Sequence, residues 1–175
     1  MKHPGTLTRL LLICTLLGAC HKSNLNFHDD FGKSFNTWLS FKQKNGNSYA
    51  YEVVQGSWVG VGWETILTVK AGKVTQRHFK MVVPPTYQTS IPADKLEWTE
   101  NESEIDTHPN SGAAAPLTLD EVYEKARTEW LPKRSKAKAY FETKNNGMIS
   151  DCGYIIDGCQ DDCFVGISIA FIHSL

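Results

Sequence analysis

The chain has 175 residues, with 18 basic and 19 acidic side chains, 41% apolar residues and 11% aromatics. That is the size and make-up of one globular domain with one core. The near-neutral balance lacks the clustered positive charge that nucleic acid requires, so nucleic-acid binding is excluded.

The N-terminus reads as a targeting segment. Lys2 and Arg9 make a positive start, and Leu10–Leu17 makes a short apolar run. That run is far below the roughly 20 residues that span a bilayer, so it reads as a signal peptide and not a permanent membrane helix. It ends in Leu17-Gly18-Ala19-Cys20, which resembles the lipobox cut by the lipoprotein signal peptidase. The resemblance implies cleavage after residue 19, a diacylglyceryl thioether on Cys20 and an acylated amino group. Each buried methylene contributes about 0.8 kcal/mol, and two chains suffice for stable anchoring. The membrane partner is therefore lipid-mediated, through Cys20. His21 stands where an Asp would retain enterobacterial lipoproteins in the inner membrane, which by analogy points to the outer membrane. Without the leader, 16 basic residues face 19 acidic ones. His21–Asp30 is polar and reads as a tether, reaching roughly 35 Å at about 3.5 Å per residue.

The globular domain is expected over 31–175. Phe31, Phe35, Trp38 and Leu39 recur with helical period and predict a helix over 31–44, capped by Asp29 or Asp30 and stopped by Asn45-Gly46-Asn47. Tyr49, Tyr51 and Val53 alternate as a strand. Gly56, Gly60 and Gly62 then break the chain around Trp58 and Trp63. Strands follow at 64–69 and 74–83, with a turn at Ala71-Gly72-Lys73. Pro84–Pro116 reads as irregular, with one possible short strand near Leu96–Thr99. Its acidic run (Glu97, Glu100, Glu102, Glu104, Asp106) reads as a solvated loop.

Thr118 and Glu121 form a capping box, with Leu117 and Val122 placed as a hydrophobic staple. Leu119, Val122, Tyr123, Ala126 and Trp130 make one apolar stripe that Pro132 ends. A basic turn (Lys133, Arg134, Lys136, Lys138) leads to a strand at 139–143, and Asn145-Asn146-Gly147 signals a hairpin. Strands near 148–157 and 164–172 finish the chain. The predicted order is α-βββ-α-βββ: an α+β single domain, an antiparallel sheet packed by helices on one face.

Several of these features together resemble a family of small bacterial lipoproteins classed as a domain of unknown function. They are Trp38, Tyr49-x-Tyr51, Thr68-Val69-x-x-Gly72-x-Val74, Thr118-x-Asp120-Glu121-Val122, and Gly147-Met148-Ile149 leading into Tyr154-Ile155-Ile156-Asp157. The likeness covers nearly all of the mature chain, departing at Ile149 where a Pro is expected. It implies the architecture and carries no activity.

Cys152, Cys159 and Cys163 remain after the leader and the lipidated cysteine. In an oxidising compartment, a Cys159–Cys163 bridge fits the usual Cα window of 4.4–6.8 Å best, leaving Cys152 as an odd thiol. Zinc is not expected from C-x6-C-x3-C. Asp157, Asp161 and Asp162 crowd the same hairpin tip but lack the twelve-residue calcium-loop spacing, so no metal is assigned. No nucleophile elbow, P-loop, dinucleotide fingerprint or paired-His motif occurs. Cys152 and His173 are not placed together by spacing, so neither a catalytic residue nor a cofactor is assigned. Trp58 and Trp63 either form an exposed recognition tip or cap the core at the sheet end. They are the candidate binding surface. The expectation is a non-catalytic binding or accessory module whose partner is another envelope protein. The alternative is an inhibitor or immunity-type lipoprotein that blocks a hydrolase, its acidic 97–106 run mimicking a polyanion.

Overall fold

The structure is a computed structural model that describes residues 24–85, 91–109, 111–161 and 163–175. The signal segment and Cys20 lie outside the described residues. No helix among those described is long and apolar enough to cross a membrane.

Helix α1 runs His28–Lys44, three residues earlier than its apolar period predicts. Asp29 and Asp30 do not cap it. They occupy its first turn, where the helix dipole favours negative charge, and Phe27 precedes it in a left-handed conformation. Leu25 forms a bridge with Pro132, and the Asn26 N–H and Nδ2 both donate to the Leu131 carbonyl. The packed structure thus reaches back to Asn24, and the stretch available as a tether is shorter than the sequence suggests. Phe31 and Trp38 turn into the core, whereas Leu39 is exposed.

Strands β1 (Tyr49–Gly56), β2 (Gly62–Lys70) and β3 (Lys73–Val82) form the predicted antiparallel meander. A short helix α2 (Ala93–Leu96) and strand β4 (Glu97–Asn101) follow. β4 pairs with β3, Trp98 opposite Phe79 and Glu100 opposite Arg77. Half of the acidic run is therefore a sheet strand, and the element order gains a strand and a short helix over the prediction. The reason is long-range: Glu100, which looks solvated in sequence, is buried against Arg77 on β3.

Helix α3 (Leu119–Lys125) begins with the capping box in place, Thr118 Oγ1 accepting from Glu121 N and Glu121 Oε2 accepting from Thr118 N at 2.7 Å. It continues as a π turn, Ala126–Trp130. Every residue of its predicted apolar stripe is buried. Strands β5 (Ala137–Glu142), β6 (Asp151–Ile156) and β7 (Phe164–Ser174) complete the chain. Asn146 and Gly147 carry the paired positive φ of the turn that Asn-Asn-Gly signals.

All seven strands make one antiparallel sheet, ordered β4-β3-β2-β1-β7-β6-β5. β7 joins the halves: its C-terminal part pairs with β1 and its N-terminal part with β6. One core spans both halves. Trp38 meets the Tyr49 ring edge-on at 5.1 Å and stacks on Tyr123. The buried hydroxyls are all engaged: Tyr51 donates to Leu117 O at 2.5 Å, Tyr49 accepts from Leu119 N, and Tyr123 meets Ser34 at 2.8 Å. Burial pushes the Tyr123 hydroxyl up to about 12.

Candidate functional site

The site is built at one end of the sheet, where β1 and β7 part. Their ladder ends at Val53↔Ile169, next to an irregularity between Glu52 and Val53. Beyond it, β1 runs on to Gly56 paired with β2 alone, and β7 starts at Phe164 paired with β6 alone. The gap is a groove of about 850 Å³, lined by Val54, Trp63, Ile155, Cys163, Phe164 and Ser168 among others. Its two walls are strand edges, which carry backbone donors and acceptors without a neighbouring strand. Under the Phe164 ring lies the cross-strand pair Gly153↔Gly166. A Cβ on Gly153 would come within 2.5 Å of the Val165 carbonyl oxygen and 2.6 Å of that ring, so glycine is what lets both approach.

The two tryptophans have different roles. Trp58, on the β1–β2 tip, is 81% exposed, and Val59 beside it is also exposed. Trp63 is half-buried in the groove wall. The loop at Gly112 packs on it so closely that a Cβ there would sit 2.8 Å from the indole nitrogen. Trp58 is thus exposed at the tip, and Trp63 is half-buried against the Gly112 loop.

Cys159 and Cys163 stand at disulfide distance, with Cα atoms 6.0 Å apart, and close the β6–β7 tip beside the groove. Cys152 is a buried free thiol, which burial holds well above its ordinary pKa. It faces Ile167 of β7, while His173 lies far along that strand beside Ala50 and stacks on Phe171. The two are not brought together. Of the tip carboxylates, Asp162 is outside the described residues. Among the described residues, no three His, Cys, Asp or Glu gather as a metal site.

A polar cluster that sequence reasoning missed lies at the opposite edge. Arg77 and Glu100 are both buried, with Arg77 Nε 3.1 Å from Glu100 Oε2. Glu100 also accepts from Asp106 N at 2.9 Å, His108 N at 2.8 Å and Thr107 Oγ1 at 3.2 Å, and meets the His108 ring at 3.0 Å. Trp98 stacks on His108 at 4.2 Å and carries the Arg77 guanidinium at 5.1 Å. Burial by itself raises the Glu100 carboxyl. The N–H groups of Asp106 and His108, the His108 ring and Arg77 outweigh it and hold the carboxyl below its ordinary value. The cluster clamps the 101–109 loop to the sheet. The other carboxylates of the acidic run are also engaged within the domain: Glu97 with His78, Glu102 with Lys73, Glu104 with Asn101 N and Asp106 with Arg77. The only sequence signal for the cluster is Arg77 on a strand face whose neighbour, Phe79, is apolar.

No protein family, curated protein or solved structure matches the chain.

Proposed function

We propose that the chain is a lipoprotein of the bacterial cell envelope, cleaved before Cys20 and held, by analogy of its His21, at the outer membrane. In this reading it is a non-catalytic binding or accessory module for another envelope protein. The resemblance to small lipoproteins of unknown function agrees with that place and adds no activity.

The observation that carries the reading is the groove between β1 and β7. It combines an apolar lining (Val54, Ile155, Phe164) with strand edges on both sides. An extended segment of a partner satisfies both at once, through main-chain bonds and alternate apolar side chains. We take α1 and α3 to cover the sheet face that carries Tyr49 and Tyr51. Val54, Ile155 and Phe164 lie on the opposite face of their strands. Glu100 of the acidic run is buried on Arg77, while Glu97 and Glu102 pair with His78 and Lys73 and stay exposed; the alternative reading is an inhibitor or immunity-type lipoprotein.

The test is a crosslinked pull-down of the tagged full chain from its own membranes, beside a Val54→Lys variant of unchanged melting temperature. One recurrent envelope protein, lost with the variant, supports the reading. A partner retained by Val54→Lys, or none with a well-expressed bait, overturns it.

A further inference from the structure

Of the nine large apolar side chains exposed among the described residues, six stand at one end of the sheet. Trp58 and Val59 form the β1–β2 tip, and Val82 ends β3 opposite Gly62. Ile156 ends β6, and Phe164 and Val165 start β7. A gathering of this kind is not the scatter of single apolar residues normal for a surface.

The N-terminal stem joins the domain near the same end. The Asn24 carbonyl accepts from Lys133 N at 2.9 Å, and three residues on, the Lys136 carbonyl accepts from Asp157 N, next to Ile156. Three residues span at most about 11 Å, and the four steps from Cys20 to Asn24 at most about 14 Å. A lipid on Cys20 therefore draws the region around Lys133 and the β6–β7 tip to within a short distance of the bilayer.

We propose that this end of the sheet rests on the membrane interface, with Trp58, Val59, Ile156 and Val165 entering the headgroup region. The proposal rests on lipidation of Cys20, and deepens it by giving the anchored domain an orientation. Tryptophan is at home at that depth, its ring amphipathic and its N–H able to reach water or phosphate. The anchor supplies a high effective concentration, so the tips need little affinity of their own. Of the basic residues near this end, Arg134 lies over the Tyr154 ring and Lys138 over the Tyr140 ring, and Asp157 and Asp161 stand in the same region. Seating is therefore apolar and does not select anionic lipid. With the strands standing on end, the groove faces sideways and stays open to a partner.

The experiment reconstitutes the full lipidated protein into phosphatidylcholine vesicles, with or without bromine on the acyl chains, and reads tryptophan emission. The intact mass of the mature protein reports acylation of Cys20 in the same samples. Acylated wild type should be quenched by bromolipid, and Trp58→Phe should lose most of that quenching. Adding phosphatidylglycerol should change neither. Acylated protein that is not quenched, or is quenched equally in Trp58→Phe, overturns the seating while the anchor stands. A mature chain without acyl groups at Cys20 overturns both, and its mass identifies that case. Protection of Trp58 only when an envelope protein is added also overturns the seating, in favour of a protein surface.

Discussion

Arg77 and Glu100 show what a buried charge does when an opposite charge stands beside it. Removing one partner strands the other, and losses of about 3–5 kcal/mol follow when a buried pair is broken. Arg77→Ala should lose that much in urea unfolding, while the apolar double replacement Arg77→Met with Glu100→Leu recovers most of it. The Glu100 carboxyl is held below its ordinary 4.5. Its contribution is therefore complete above about 4.5 and lost as pH falls through the lower folded value. Unfolding free energy measured from pH 6 downward should fall below that point, with a shallower slope in Glu100→Gln. At the other end, Trp58→Ser should leave stability within about 0.5 kcal/mol. Trp63→Ser should cost about 2 kcal/mol, half of what a fully buried tryptophan loses. Equal effects on thermal melting would place both tryptophans in one environment, against the exposures described. The sequence could not separate them, because the spacing that makes the tip also makes the wall. The difference comes from the loop at Gly112, fifty residues away.

Among the elements, those built from local rules were legible. The Thr118–Glu121 box, the stripe from Leu119 to Trp130 and the Asn146-Gly147 turn each depend on neighbours within a few residues, and each is present. Thr118→Ala should cost about 1 kcal/mol, read as a lower melting temperature with unchanged near-UV dichroism. No change would mean that packing of Leu119 and Val122 alone fixes the helix start. The sequence places only a short strand near Leu96–Thr99, outside the predicted order, because the stability of β4 comes from Arg77 and Phe79 across the sheet and from a loop that closes over Glu100. α1 starts three residues before its apolar period for a similar reason. His28 and Asp29 carry no apolar signal, and the turn they occupy is held by Leu25, Asn26 and their contacts with Leu131 and Pro132.

At the scale of the molecule, the strand list was readable and the strand order was not. β7 lies between β1 and β6, a pairing across more than a hundred residues that no periodicity encodes. The groove follows from that pairing, since it exists only where β7 leaves β1, so no motif could announce it. The two meanders nonetheless share one core: Trp38, Tyr49 and Tyr123 bring α1, β1 and α3 together, and Ile149, Cys152 and Ile167 extend the same cluster. Unfolding should therefore be one cooperative transition, with tryptophan fluorescence and far-UV dichroism coincident in denaturant. Separated transitions would show that the sheet halves melt apart at the β1–β7 seam.

The burial of Cys152 decides which thiols of the folded domain can be bridged. Before β6 and β7 pair, Cys152, Cys159 and Cys163 are equally open to an oxidant, and any two of them can join. Once Cys152 is packed against Ile167 its sulfur is out of reach, and only the tip pair remains. The odd cysteine that looks like a liability in the sequence is, in the finished molecule, the one thiol that oxidative chemistry can no longer find.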